Sequence, residues 1–297
     1  MITWETSDID KPCGRIFKFK WNTKLIPKGA YIALVKLIAI ATDYGPVTPA
    51  ITKKLSNGIK LINKEYKINL TVPHALSLHH IIAKDKIIHD YPRLNRMIKF
   101  IAAKYNPPFS IDILTLAKKY DFPPLNLLRS IMIANGVPER DVFKAFNSEK
   151  SENRKILAAR DLAQLKIAEK NDADSRINQD TIYKSAMDFE ESVVKFFLNA
   201  GVRIKTQDQL AEQQTKRYGR AVITPDLLFL DHVYINDVKV TWLDCKNYMG
   251  NEIGFIRKSN VNQAAKYGVK WGPGVVLYRY SALDTLSLPS AIVLSWQ

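Results

Sequence analysis

The residues best suited to chemistry are two aspartates and a lysine on two neighbouring apolar segments. Thr224-Pro225-Asp226 opens the first segment, and Asp244 and Lys246 stand two residues apart within the second. Alternate side chains of a β-strand share a face, so Asp244 and Lys246 point the same way while Cys245 points to the other face. Two carboxylates and an ammonium group can therefore meet in one pocket, where they would suit a metal ion and the cleavage of phosphodiesters.

The segments that carry these residues predict a pair of strands. Residues 227–230 follow the first acid, residues 238–243 precede the second, and both segments are rich in residues that favour β-structure. Asn236-Asp237 is a natural turn between them. We therefore expect the two strands to bring Asp226 close to Asp244 and Lys246.

Composition sets the class of protein. The 297 residues leave room for two domains, and 46% hydrophobic with 25% charged residues is typical of a soluble globular protein. No segment approaches the roughly 20 apolar residues of a membrane span, and residues 1–20 lack the apolar core of a signal peptide. Cys13 and Cys245 are too few for a disulfide framework or a cysteine-based zinc site. These features predict an intracellular protein, in nucleus or cytoplasm, without a membrane partner.

The formal charge of +15 is unevenly distributed along the chain. Residues 1–104 carry 18 Lys and Arg against 7 Asp and Glu, whereas residues 181–297 carry 14 against 11. This distribution predicts a basic domain that holds a polyanion, followed by a domain that acts on it. Solvated lysines on a helical domain are the alternative interpretation, and charge alone does not decide between the two.

The first part of the chain predicts a helical domain over residues 1–178. Thr48-Pro49 has the pattern of a helix start, and Gly58 that of a helix end. Two short helices joined by a tight turn at 121–124 resemble a helix-turn-helix unit, with a plain helical bundle as the alternative. Residues 151–172 predict a long exposed helix that bridges the two halves. The remaining predicted helices cover residues 27–42, 73–86, 92–105, 110–120 and 124–135.

The second part, residues 179–297, predicts a mixed α/β core, because helical and extended patterns alternate there. A helix is expected at 181–200, a strand at 202–206 and a helix or loop at 207–218. After the two motif strands we expect a helix at 260–269 and strands at 275–280 and 291–296.

From about residue 185 to 280 the chain resembles the PD-(D/E)XK nuclease superfamily. The resemblance is to the branch named for its Thr-Pro-Asp motif, which includes the human codanin-interacting nuclease and archaeal relatives. It rests on five landmarks in order, and the front half resembles that branch only in being helical. The landmarks are Glu190, Thr224-Pro225-Asp226, residues 242–246, the Gln263 and Tyr267 pair, and Gly272-Pro273-Gly274 before a strand.

The resemblance implies a restriction-endonuclease-like fold and a role for each site residue. Asp226, Asp244 and the backbone carbonyl of Cys245 would bind Mg²⁺, for which Mn²⁺ is expected to substitute. Glu190 would hold a metal-bound water or a second ion, and Lys246 would orient the attacking water, help to deprotonate it and stabilise transition-state charge.

Gln263 and Tyr267 lie one helical turn apart and therefore on one face. The resemblance gives such a pair the task of ordering the active site or contacting DNA. Arg257 and Lys258 are candidate phosphate contacts, with plain surface residues as the alternative.

Simpler interpretations exist for each acid taken alone. Asp226 could cap a turn, Asp244 and Lys246 could be a charge pair, and Glu190 could be a solvated helix residue. Glu191 or Asp188 would take the place of Glu190 if the helix register differs. The sequence also has Asp rather than the commoner Glu at position 244, which the superfamily pattern permits.

Together these features predict a metal-dependent endodeoxyribonuclease, with a structure-specific substrate as one expectation. The alternative is a nucleic-acid-binding or scaffold protein with a catalytically silent nuclease fold. DNA is the expected partner and a homodimer is compatible with the resemblance, whereas no codanin-like protein partner carries over, because the front half has no matching motif.

Overall fold

The structure is a computed structural model that describes residues 14–21, 24–41, 44–147, 151–172 and 179–296. Cys13 and the predicted domain boundary at residue 178 lie outside the described residues. Within these residues the strands are β1 (Ile16–Phe19), β2 (Ile204–Thr206), β3 (Leu227–Ile235), β4 (Val238–Lys246), β5 (Gly274–Tyr278) and β6 (Ala291–Ser295). The helices are α1 (Lys28–Ala41), α2 (Pro49–Tyr66), α3 (Val72–Tyr105), α4 (Ile113–Tyr120), α5 (Pro124–Ala134), α6 (Glu139–Asn147), α7 (Ser151–Arg154), α8 (Ala159–Lys170), α9 (Gln179–Asn199), α10 (Gln207–Tyr218) and α11 (Gly254–Trp271).

The strands form one mixed sheet. Its order is β1, β3, β4, β5, β6, and β2 also pairs with β3. β3 and β4 are antiparallel, whereas β4, β5 and β6 are parallel to one another. β2 lies antiparallel to the first half of β3, and β1 lies parallel to its second half. The predicted mixed α/β architecture, with a helical N-terminal part and a sheet flanked by helices, is confirmed.

The turn between β3 and β4 forms where the sequence predicts it. Asn236 and Asp237 have φ angles of 48° and 66°, and two positive φ angles match the twist of a two-residue hairpin. The Asn236 side chain also bonds to the backbone of Trp21, accepting from its N–H at 2.8 Å and donating to its carbonyl at 2.9 Å. The hairpin turn therefore anchors the segment that follows β1.

Strand alternation separates the two faces of β4. Leu243 and Cys245 belong to a core that α9 covers, whereas Trp242 belongs to a second core that α11 covers. The expectation that Cys245 is a buried, small apolar residue is confirmed, and burial raises the pKa of its thiol. Asp244, which lies between Leu243 and Cys245, therefore points to the α11 face.

The chain divides into two compact units that do not follow the predicted boundary. Residues 1–36, 58–78 and 180–297 form a unit with the sheet, which we call the sheet unit, and residues 37–57 and 79–179 form a helical unit. The predicted division was 1–178 and 179–297. The observed division differs from the predicted one because β1 pairs with β3 and because the Met249 amide donates to Ser77 Oγ at 2.9 Å. A four-residue edge strand is too short to show a clear alternating pattern in the sequence.

The positive charge is shared between the units. The sheet unit carries 24 Lys and Arg against 16 Asp and Glu, and the helical unit carries 20 against 13. The predicted contrast between a basic domain and a near-neutral domain is therefore not found, because the lysines of residues 14–36 and 58–78 belong to the sheet unit. Both units carry the charge that a polyanion would meet.

Two helices continue through residues that predicted an end or a break. α2 runs through Gly58, where burial of Leu55, Ile59 and Ile62 outweighs the cost of about 1 kcal/mol for a helical glycine. α3 runs through Pro92 and so joins the two helices predicted at 73–86 and 92–105. Burial thus overrides the local propensity of Gly58, whereas α3 continues through Pro92 although most residues from 88 to 93 are exposed.

Residues 151–172 do not form a long exposed helix. They fold as α7 and α8 with a break at 155–158. Leu157, Leu165 and Ala168 are buried in the core of the helical unit, and Arg154 pairs with Glu169 at 2.6 Å. The alanines and charges of this segment thus pack within one unit, and the predicted bridging helix is wrong.

The predicted pair of short helices is present as α4 and α5. Asp112 caps α4 by accepting from the Thr115 amide at 3.0 Å, so the helix begins later than the predicted residue 110. A recognition helix must expose a face to a DNA groove, whereas only Ile133 and Ala134 of α5 are exposed. The plain helical bundle therefore fits these helices better than a DNA-reading helix-turn-helix.

Among the described helices, none combines the length and the apolar character needed to cross a membrane.

The buried carboxylate of Asp231 offers a test of how the edge of the sheet is held. It is 0% exposed and accepts from the Arg203 backbone amide at 2.9 Å and from its guanidinium at 2.7 Å and 3.1 Å. We predict that Asp231→Ala lowers the free energy of unfolding by about 1 to 2 kcal/mol, because it removes a buried carboxylate that accepts three hydrogen bonds from the half-exposed Arg203. Denaturant unfolding measures this value.

The control is Glu212→Ala, because Glu212 forms an exposed pair with Lys216 at 2.6 Å within α10 and its loss should not measurably change stability. The Arg203 hydrogen bonds lower the pKa of Asp231, against the opposing effect of burial. The contribution of Asp231 is therefore present above its unfolded pKa of about 3.9 and is lost as the pH falls through the lower folded value. Equal stability losses in the two variants would contradict the prediction.

Candidate active site

Asp226 lies directly before β3 and is tied to β4. Its Oδ2 accepts from the backbone amide of Cys245 at 2.6 Å, and its carbonyl accepts from the Gln207 amide at 3.0 Å. Burial, followed by the charges of Asp244 and Glu190, raises the pKa of Asp226 well above its usual range. The carboxylate is thus fixed in position beside other acids.

Asp244 and Lys246 form a close ion pair on the α11 face of β4. Lys246 Nζ lies 2.5 Å from Asp244 Oδ2, and their side chains are 14% and 4% exposed. Burial lowers the pKa of Lys246, but the charge and hydrogen bond of Asp244 together with Tyr248 and Asp226 more than offset this effect, and the pKa rises to about 12. Lys246 is therefore a cation at neutral pH.

Gln263 connects both members of this pair to α11. Its Oε1 accepts from Lys246 Nζ at 2.8 Å, and its Nε2 donates to Asp244 Oδ1 at 3.2 Å and to Tyr267 Oη at 2.8 Å. Tyr267 in turn donates to the Thr224 carbonyl at 3.0 Å. Burial raises the pKa of Tyr267, so its hydroxyl stays protonated and able to donate. One chain of hydrogen bonds thus joins the Thr-Pro-Asp segment to the acid and lysine of β4.

Aromatic packing positions Tyr267. Its ring centroid lies 5.0 Å from that of Trp242 in an edge-to-face arrangement, and Trp242 Nε1 donates to the Gly272 carbonyl at 2.8 Å. Trp242 lies against the backbone of Gly274, where an added Cβ would come within 2.1 Å of the indole ring. The Gly272-Pro273-Gly274 segment is therefore needed for close packing below the site.

Among the acids of α9, Glu190 is the one directed toward the site. It is partly buried, and burial, followed by the charge of Asp244, raises its pKa. Glu191 instead pairs with Lys195 at 2.7 Å and is exposed, as is Asp188. The structure therefore places Glu190 with the predicted set and leaves its two neighbours at the surface.

Arg257 and Lys258 lie within the first turns of α11 instead of before the helix, because α11 begins at Gly254. Both are exposed, and neither takes part in the hydrogen bonds that join Asp244, Lys246 and Gln263. A role in phosphate binding stays a prediction for these two residues.

The acids suit a metal ion that needs few protein ligands. Among the described residues, no three His, Cys, Asp or Glu side chains are grouped to hold a metal ion by themselves. Asp226 and Asp244 supply two carboxylates, and Mg²⁺ is commonly held by one or two carboxylates together with water and substrate phosphate. Burial, followed by the charges of neighbouring acids, raises the pKa values of Asp226 and Glu190, and a divalent cation would compensate those charges. The Cys245 carbonyl stays a predicted ligand.

Sequence reasoning missed Arg279, which follows β5. Its Nη1 donates to the Ser185 carbonyl at 2.9 Å, to Ser185 Oγ at 2.8 Å and to Asn247 Oδ1 at 2.9 Å. Its backbone amide donates to the Lys246 carbonyl at 2.9 Å. The prediction placed Arg279 inside a strand that ended at Tyr280. One sequence signal could have indicated it: Arg279 is the first charged residue after the apolar segment of β5, and ligands bind at the carboxyl ends of parallel strands.

Two comparisons with known proteins find a similarity. Residues 158–295 match the family model described as "Protein of unknown function TPD sequence-motif". An uncharacterized protein of Acanthamoeba polyphaga mimivirus is 25% identical over 121 residues, which cover 39% of this chain and 42% of that protein. The chain thus matches less than half the length of this relative. No solved structure matches.

The matched region contains the whole candidate site, from Glu190 to Tyr267. The sequence Thr224-Pro225-Asp226 lies within the range that is similar to this family. The family description gives no activity.

We predict that Gly274→Ala disturbs the packing of Trp242 and Tyr267 that positions the site. The added methyl group meets the Trp242 ring at 2.1 Å, so Trp242 and with it Tyr267 must shift. The expected cost is about 1 to 3 kcal/mol of unfolding free energy, measured by denaturant titration. Gly254→Ala is the control, because nothing lies within 4 Å of the added methyl group at the start of α11. If Gly274→Ala is as stable as this control, the packing argument is wrong.

Proposed function

We propose that this protein is a metal-dependent nuclease of the PD-(D/E)XK type that hydrolyses phosphodiester bonds in DNA. The observation that carries the proposal is the convergence of Asp226, Asp244 and Lys246 on two paired strands. A charge pair alone would not need Asp226 beside it. Burial of Asp226 and its repulsion by Asp244 make this arrangement costly for the metal-free fold, which favours a functional role.

Asp226 and Asp244 would hold Mg²⁺, and Glu190 would bind a metal-coordinated water or a second ion. When bound, the ion supplies Lewis-acid activation of the phosphodiester and of water. Mn²⁺ has the same preference for oxygen ligands and should substitute.

Lys246 acts as a cation in this proposal. A pKa of about 12 leaves the ammonium group protonated, so it donates hydrogen bonds and does not accept a proton at neutral pH. It would orient the attacking water and stabilise the negative charge that develops on the phosphoryl oxygens. The prediction that Lys246 also deprotonates water fits the site less well, because Asp244 lies 2.5 Å away and holds its proton.

Gln263 and Tyr267 are positioning residues in this proposal. Gln263 bonds to both Asp244 and Lys246, which fixes the separation of acid and ammonium. Tyr267 fixes Gln263 and reaches the Thr224 carbonyl. Such fixed hydrogen bonds lower the reorganisation needed when charge develops in the reaction.

The net charge of +15 supports a polyanionic substrate. Both units carry an excess of Lys and Arg. Non-specific affinity for DNA arises mainly from such residues through the release of counterions.

The first test is cleavage of linear, single-stranded, flap and four-way junction DNA with Mg²⁺ or Mn²⁺. We predict that Asp244→Asn and Lys246→Met each reduce the rate by about 100-fold or more, because they remove a metal ligand and a charge-stabilising donor. Glu191→Gln is the matched control and should cut like wild type, since Glu191 is exposed and paired with Lys195.

Undiminished cleavage by the Asp244→Asn and Lys246→Met variants would show that the site is assigned wrongly. If wild type cuts none of the substrates in either metal but still shifts DNA in a gel, the protein is a binding or scaffold protein with a silent nuclease fold.

The second test is stability without metal. Because the folded pKa of Asp226 is raised, its destabilising effect is absent below the unfolded pKa of about 3.9 and appears as the pH rises through the folded value. We predict that Asp226→Asn raises Tm at about pH 8 by roughly 2 to 8 °C, with a smaller increase at about pH 4. Differential scanning fluorimetry measures both.

Divalent cations complete this second test. Mg²⁺ or Mn²⁺ should raise the Tm of wild type but not that of Asp226→Asn, because ligands that bind the folded state stabilise it. Asp188→Asn, at an exposed position of α9, is the control and should respond to metal like wild type. A cation effect that is the same in the Asp226 variant would place the metal elsewhere.

A further inference from the structure

A second feature of the sheet unit is a pocket at the edge of the sheet that carries the candidate site. Its volume is about 410 Å³, within the range of small-molecule sites. Lys24, His74, Arg279 and Trp296 are among its lining residues. Resting on the function proposed above, we propose that this pocket binds the terminal phosphate and last nucleotide of the DNA strand that is cut.

The parallel strands place the pocket beside the site. Lys246 at the end of β4 is opposite Tyr278 at the end of β5, which is opposite Ser295 at the end of β6. Arg279 follows β5, Trp296 follows β6, and their backbone amides bond to the Lys246 and Tyr278 carbonyls at 2.9 Å. The pocket and the candidate site therefore share the carboxyl edge of the sheet.

The polar wall of the pocket suits a phosphate monoester. Arg279 is fixed through Nη1 by Ser185 and Asn247, and its Nε and Nη2 groups have no hydrogen-bond acceptor among the described residues. Lys24 adds an exposed cation, and it has no ion-pair partner among the residues that the structure describes. None of the described lining residues is acidic. A planar guanidinium with free N–H groups is a preferred partner for phosphate.

His74 adds a further polar group to this wall. Its Nδ1 lies 2.7 Å from Thr71 Oγ1, and both residues line the pocket at the start of α3. A helix of 34 residues directs the positive end of its dipole toward this point. The helix terminus adds to the attraction of Arg279 and Lys24 for an anion.

The apolar wall suits the nucleoside. Trp296 is held by Trp21, Phe189 and Phe196, with ring centroids 5.8 to 6.1 Å apart. Leu25, Ile26 and Leu70 complete this side. Aromatic side chains bind unpaired bases by stacking, with little preference for sequence. A base and a phosphate on one nucleotide would thus contact the two walls of the pocket together.

The sheet spacing predicts where the strand is cut. Lys246 and Ser295 are two strand spacings apart, which is about 10 Å. A strand of duplex DNA advances about 3.4 Å per nucleotide, and an unstacked strand advances further, so this value gives the largest number of nucleotides that fit. A strand end bound in the pocket would therefore be cut within about three nucleotides of its terminal phosphate.

The test measures binding in the absence of cleavage. In the Asp244→Asn background, fluorescence anisotropy compares single-stranded oligonucleotides of one sequence with a 5′-phosphate, a 3′-phosphate or two hydroxyl ends. We predict that one phosphorylated end binds at least about tenfold more tightly than the hydroxyl ends, through charge-assisted hydrogen bonds. Equal affinities for all three oligonucleotides would overturn the proposal.

Variants identify the pocket as the source of this preference. Arg279→Met and Lys24→Met should each remove most of the preference while leaving the affinity for hydroxyl ends within about twofold. Lys24→Met is the variant that avoids structural damage, because no side-chain bond within the described residues depends on it. Lys239→Met, exposed at the opposite end of β4, is the matched control and should keep the preference. If both pocket variants keep the preference for a phosphorylated end, the phosphate binds elsewhere and the proposal is wrong.

Two further outcomes separate this proposal from the nuclease proposal. A phosphate preference that depends on Arg279 and Lys24, in a protein that cuts no DNA, supports the pocket and contradicts the nuclease. A deoxynucleoside monophosphate that competes as strongly as the phosphorylated oligonucleotide overturns a strand-end site in favour of a free-nucleotide site. If wild type cuts, products of up to about three nucleotides from the preferred end support the geometry.

Discussion

The candidate site depends on holding several buried carboxylates beside a single ammonium group. Lys246 neutralises Asp244 directly, at 2.5 Å, and leaves Asp226 and Glu190 with raised pKa values. Such a cluster repels itself unless its members are fixed and partly compensated. Gln263 provides the fixing, because one amide group bonds to both members of the ion pair. The apolar core of Trp242, Ala264 and Tyr267 holds α11 on the sheet and so keeps Gln263 in place.

The same edge of the sheet collects the other polar groups of interest. Parallel pairing of β4, β5 and β6 brings their carboxyl ends together, so Lys246, Arg279 and Trp296 become neighbours although they are distant in sequence. Segments from residues 14–36 and 58–78 complete this unit. Open sheets with parallel strands generally bind ligands in the crevice at the carboxyl ends of those strands. The candidate site and the proposed pocket both lie at such ends.

Local patterns in the sequence predicted the features that local physics decides. The β3–β4 hairpin, the shared face of Asp244 and Lys246, and the one-turn spacing of Gln263 and Tyr267 follow from strand and helix periods and from turn chemistry. The same patterns were wrong where tertiary contacts decide. Gly58 lies inside α2 because Leu55, Ile59 and Ile62 are buried, and β1 exists because β3 offers it an edge. α3 also continues through Pro92, although most residues from 88 to 93 are exposed. Arg279 could not be identified from local patterns, because only the parallel pairing of β4 with β5 places it beside Lys246.

The two proposed sites differ in which parts of the chain they need. The region that matches the TPD family, residues 158–295, includes all the acids, Lys246 and Gln263. It includes Arg279 but not Lys24 or His74, which come from segments that precede the matched region. The candidate catalytic set therefore lies within the domain that other chains share, whereas the proposed pocket is completed by residues outside it. On this basis cleavage would be a property of the matched domain, and selection of a strand end would be added by the N-terminal segments that join its sheet unit.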